Sequence, residues 1–160
     1  MTIEAKLAQL GIELPPAPKV PPGVRIPFSF VRVHGDRAYI AGHTAQRVDG
    51  SLAGPFGKVG EDVSPDAAYD AARLTAVSML GSLKRELGDL DRVDRWLRIF
   101  GMVNTAPDFN EFPAVINGCS DLILELWGED AGQHARSAIG VAGLPWNFCV
   151  EIEAEVAIRS

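Results

Sequence analysis

Apolar and polar positions change their period along this chain, and each change marks an element. Thr2 to Leu10 puts Ile3, Leu7 and Leu10 on one side of a short amphipathic helix that Gly11 stops. From Leu14 to Pro27 no period survives. Prolines such as Pro15, Pro18 and Pro22 impose an extended path there, so residues 1–27 read as a helix and a proline-rich arm laid over the domain. Phe30 to Val33 and Ala38 to Ala41 alternate as two strands joined at the turn signal His34-Gly35-Asp36. The glycine-rich stretch Asp49 to Gly60 is a long loop without a phosphate-cradle pattern. Ser64-Pro65-Asp66 then starts a helix, with Ser as N-cap and Pro in the first turn. Ala68, Ala72, Val77, Leu80 and Leu83 give it an apolar stripe to about Leu87, and Gly88 ends it. Arg92 to Val103 reads as a buried strand. Pro113 to Trp127 reads as a second helix ending at Gly128.

The last quarter carries the sharpest pattern. Arg136 stands just ahead of a strand-like run that leads to a predicted hairpin near Gly143-Leu144-Pro145. In the returning strand Val150, Ile152, Ala154, Val156 and Ile158 face one way, and Glu151, Glu153 and Glu155 the other. The predicted order is strand, strand, helix, strand, helix, strand, strand, which implies one domain over residues 1–160 with a mixed sheet and both helices on one face. The opposite face, expected to carry Phe30, Trp96, Phe100 and the Glu row, is left without a cover, and this predicts a homo-oligomer.

Composition narrows the classes of function. A 160-residue chain can bury roughly 70% of its unfolded surface without disulfide or metal staples. A net charge of −6 with scattered basic residues argues against nucleic acid as a partner. No stretch approaches a membrane span, and Cys119 and Cys149 lack the spacing of a zinc or redox pair, so a reduced, cytoplasmic protein without a metal is expected.

If the hairpin closes as predicted, Arg136 and the acidic face meet. A guanidinium holds a carboxylate through two parallel hydrogen bonds, and a nearby carboxylate can orient or deprotonate water. The plain alternative is a solvated sheet face with an ordinary surface arginine. His134 points to the same face as Arg136 by alternation, and His43 lies at a strand end within reach of a cleft.

The string NGCSDLILELWGEDAGQHARSAIGVAGLPWNFCVEIEAEV, with GKVGEDVS and AAYDAARLTAVSMLGSLKRELGDLDRV, resembles the YjgF/RidA family of small imine deaminases, also called the endoribonuclease L-PSP family. It is most similar to a longer branch with a proline-rich arm and a HARSAxGV signature. The resemblance implies an α/β fold of the α+β kind: a chorismate-mutase-like mixed sheet, assembled as a homotrimer with active sites in the clefts between subunits. It also implies cofactor-independent hydrolysis of 2-imino and 2-enamino acids to 2-keto acids and ammonia.

By the same resemblance Arg136 binds the substrate carboxylate, Glu151 handles the water, and Asn117 and Phe30 line the cleft, with Phe28 as the alternative to Phe30. Ala138 stands where the family usually has a cysteine, leaving only main-chain groups to serve there, and Trp146 and Phe148 occupy a turn that is often smaller or charged. His134 joins the substrate-binding candidates. The missing cysteine and the aromatic turn keep open a rival reading: a non-catalytic or regulatory trimer that binds a small carboxylic or keto acid. A ribonuclease, the reading behind the family's older name, fits the acidic chain least.

Overall fold

A computed structural model describes all 160 residues, and its helices begin where the chain supplies caps. The Ser64 hydroxyl accepts the amide of Ala67 at 3.1 Å, so α2 (Pro65–Leu87) starts with its first turn satisfied, and Gly88 closes it in the left-handed conformation. The N-terminal helix α1 (Ile3–Gln9) is capped in the same way by Thr2. The remaining helix, α3 (Phe112–Gly132), leaves helical geometry at Gly128 as its sequence implied, then makes one more turn to Gly132.

Five strands form a single sheet: β1 (Val31–His34), β2 (Arg37–His43), β3 (Val93–Asn104), β4 (Ala135–Val141) and β5 (Val150–Ile158), in the order β1-β2-β5-β3-β4. Only β3 and β4 run parallel, connected through α3. Both long helices cover one face, and a cluster of 33 buried residues fills the space between. The helices cross closely at Gly118, where a Cβ would fall 2.0 Å from the Tyr69 carbonyl oxygen. This is a mixed α+β fold.

Two expectations need correction. The final strands do not form a hairpin: β5 inserts between β2 and β3, while β4 pairs with the far side of β3. A short loop and an apolar run cannot distinguish a hairpin from a connection that passes over one strand. Trp96 also lies on the helix side, 2% exposed and edge-on to Trp127 at 5.4 Å. The pairing of β3 with β5 slips between Trp96 and Arg98, which returns both Trp96 and Ile99 to the core face despite their odd spacing.

The open sheet face carries Arg32, Tyr39, Arg98, Phe100, Glu153 and Glu155 around a hollow of about 340 Å³. No helix of the chain is long and apolar enough to cross a membrane.

Candidate active site in two halves

Arg136 lies on the edge strand β4, in register with Ile99, and so on the face packed against α3. Its Nη1 donates to Asn117 Oδ1 at 2.9 Å and to Ser120 Oγ at 3.0 Å, and its Nη2 to the Pro113 carbonyl at 3.3 Å. A guanidinium has five N–H donors. The chain takes three of them, which leaves the Nε hydrogen and one on Nη2, two adjacent nitrogens able to grip a carboxylate side by side.

Ser120 is held in turn by His134. The Gly132 carbonyl can only accept, so the 2.7 Å contact puts the proton on His134 Nδ1. Nε2 then receives the Ser120 hydroxyl at 2.9 Å, and the lone pairs of Oγ remain for Arg136. Burial, helped by the nearby Arg136 charge, pushes the His134 pKa below its usual 6.5, which keeps the ring neutral in this role. Asn117, Ser120 and His134 thus fix the posture of Arg136. Ala138, also half-buried on this face, lies two residues further along β4.

Glu151 is elsewhere. Its Cα partner is Met102 on β3, so it belongs to the other face of the sheet, with β3 between it and β4. The two residues expected to meet through a hairpin are therefore not brought together within one chain. Glu151 borders a cavity of about 280 Å³ between the arm, the end of β2 and the turn Pro145–Asn147. Phe28 and Phe30 both border it, edge-on to each other at 5.5 Å. Burial, and secondarily the Glu153 charge, raises the Glu151 pKa above the usual carboxylate value. The raised pKa suits a group that must both take and return a proton.

Gly42, Ser82, Arg85 and Asn104, which sequence reasoning missed, shape this half. Gly42 sits in a bulge where Ala41 and Gly42 oppose a single residue of β5, and a Cβ there would come 2.7 Å from Glu151 Oε2. The bulge also turns His43 inward, where its pKa falls to about 4 through burial. His43 repeats the arrangement of His134: Nδ1 donates to the carbonyl two residues back, Nε2 meets Ser82 on α2 at 2.8 Å, and Ser82 Oγ accepts from Arg85 at 2.8 Å. Arg85 reaches on to the Pro15 carbonyl of the arm at 3.0 Å.

Asn104, fully buried at the end of β3, ties down the turn that carries Trp146. Its Nδ2 donates to Asn147 Oδ1 and the Phe148 carbonyl, and its Oδ1 accepts from Lys58. The tether holds Trp146 and Asn147 at φ 48° and 61°, a left-handed pair that costs about 1–3 kcal/mol per residue. Trp146 stays 48% exposed at the cavity, whereas Phe148 is buried against Phe56.

Cys119 and Cys149 are both buried, their thiols pushed up to about 12 and about 11, and they pack as apolar side chains. A group of carboxylates at Glu4, Asp89 and Asp91 lies at the far end of the molecule, with Glu4 paired to Lys84.

Known proteins align with this arrangement over nearly its full length. Protein TCP17 of Trypanosoma cruzi is 36% identical across 99% of this chain and 95% of its own. The crystal structure of Atu1372 from Agrobacterium tumefaciens, a protein of unknown function, is 37% identical and superposes with a TM-score of 0.85 over 98% of this chain and 92% of that one. A putative endoribonuclease from Shewanella oneidensis superposes at 0.87 with 27% identity, covering 99% of this chain and all of its own (100%). The family described as YjgF/chorismate mutase-like, putative endoribonuclease matches residues 4–154, and the chain belongs to it.

Proposed function

We propose that the protein is an imine and enamine deaminase, hydrolysing reactive 2-imino or 2-enamino acids to 2-keto acids and ammonia without a cofactor, in clefts between the subunits of a homotrimer. The observation that carries this reading is the pair of unclaimed donors on adjacent nitrogens of Arg136, held by Asn117 and Ser120. They suit the carboxylate of a 2-imino acid at a geometry that lysine cannot copy. Because Arg136 and Glu151 occupy different faces of one sheet, a complete site needs Arg136 from one copy and Glu151 from another. The uncovered face, with Tyr39 45% and Ile139 39% exposed, is a surface on which such copies would meet.

In the cleft the imine nitrogen is first protonated from solvent; a water then adds its oxygen to C2 as Glu151 takes one of its protons, and the C=N π electrons go to nitrogen, giving an amino group. Glu151 returns its proton to that amino group in the tetrahedral adduct. The C–N bond then breaks, ammonia leaves, and the hydroxyl releases its proton to solvent as the keto acid forms. Imines are already electrophilic, so positioning supplies much of the acceleration.

The test generates imino acids in situ with an amino-acid oxidase and follows keto-acid release. The wild type should accelerate it, with activity lost in Arg136→Ala and Glu151→Gln. Absence of acceleration with every imine would sink the deaminase reading. A carboxylate-binding protein is the second reading, favoured by Ala138 in place of a thiol. It predicts ligand binding that survives Glu151→Gln. Ribonuclease activity finds little support in a chain of net charge −6 whose open sheet face carries Glu153 and Glu155.

A further inference from the structure

We infer that the substrate's own side chain is large and apolar, branched aliphatic or aromatic, and that it occupies the cavity walled by the proline-rich arm and Trp146. This rests on the assignment of Arg136 and Glu151 above and adds the substrate class.

The cavity of about 280 Å³ beside Glu151 approaches the size of small-ligand pockets in general, roughly 300 Å³ and upward. Its apolar walls include Val20, Val24 and Ile26 of the arm, Phe28, Leu52 and Trp146, with Thr44 and Gln46 as polar lining. Two formal charges border it, Glu151 and the exposed Arg25; His43 is held neutral and its ring nitrogens are occupied by Ala41 and Ser82. C2 of an imino acid is trigonal. With the carboxylate on Arg136 of a second copy and the attacking water at Glu151, the side chain leaves C2 in the substrate plane, away from the carboxylate. The methyl of an alanine-derived imine would leave most of the cavity unfilled. An isobutyl or benzyl group would bring apolar surface against every wall named.

Trp146 supports the same conclusion. A large indole, half exposed and carried on left-handed backbone, keeps apolar surface in water at a backbone cost, and an apolar group covering it would offset that cost. Asn104 nevertheless holds it at the cavity edge.

The experiment compares kcat/KM for imines made in situ from phenylalanine, leucine, alanine and aspartate by suitable oxidases. Since one methylene in an apolar pocket changes selectivity by roughly 10–200-fold, the phenylalanine- and leucine-derived imines should exceed the alanine-derived one by at least about 30-fold. Val24→Trp, which fills the cavity, should collapse that ratio, with Leu52→Phe as a second variant should the first misfold. A ratio near unity, or a preference for the aspartate-derived imine through Arg25, would overturn the inference while leaving the deaminase intact. Should no imine be hydrolysed, the deaminase fails first, and calorimetric binding decides the side-chain class. Tighter binding of phenylpyruvate than pyruvate by a similar factor sustains it, and equal affinity overturns it.

Discussion

A half-buried carboxylate is a standing cost to a fold, and Glu151 shows it. Its pKa is raised, first by burial and then by Glu153, so the folded chain binds its proton more tightly than the unfolded chain does. The stability this gives is fully present below the unfolded value near 4.5 and is lost as pH rises through the folded value. Glu151→Gln should therefore raise Tm at pH 7 by roughly 1–3 °C, a gain that shrinks toward zero near pH 4. Thermal melts across that range check it; equal melting temperatures at pH 7 would mean the carboxylate is not strained. Arg136 and the row Glu151, Glu153 and Glu155 were legible as candidates because their residue types announce their chemistry, and the family resemblance singled out Glu151. Ser120, Gly42 and Asn104 were not, since a serine inside a helix or a glycine in a strand acquires meaning only from what packs beside it.

Irregularity within elements decides what reaches the site. Strict alternation holds along β5, and its two faces were readable in the sequence. It fails on β2 and β3, where slips in pairing let Ile40 and His43, and likewise Trp96 and Ile99, share the core face. Such bulges follow from the pairing partner, which no single strand's sequence specifies. The helices were legible nearly end to end through caps and stripes, but their mutual approach was not. At Gly118 the backbone of α3 passes so close to Tyr69 that even a methyl group has no room. Gly118→Ala should destabilise the protein by about 2 kcal/mol or more, despite alanine's better helix propensity, as read by urea denaturation. A neutral or stabilising outcome would show that the helices separate at no cost.

On the scale of the whole molecule, the arginine and the glutamate lie on opposite faces of one sheet, so the proposed deaminase site is complete only where two copies meet. Arg136→Ala and Glu151→Gln should each be inactive alone. Mixed after dissociation and reassociation, they should recover a fraction of wild-type activity, because some clefts then pair an intact Arg136 with an intact Glu151. Recovery no greater than the sum of the separate variants would place both groups in one subunit's site. The layer architecture was foreseeable from the order of elements, whereas the insertion of β5 was not, because strand order depends on long-range pairing.

The arm's attachments are unevenly distributed. Pro15 and Pro16 accept side-chain donors from Arg85 and Gln46, and the Lys19 amide bonds the Gly50 carbonyl. From residue 20 to 28 a single main-chain bond is donated, from Val24 to the Pro21 carbonyl, after which Phe30 accepts from Ala41. The wall over Glu151 is thus a bridge moored at both banks and unsupported at midspan. Bowing outward breaks no hydrogen bond to the body's backbone, so this span is where we expect the cavity to open to a ligand.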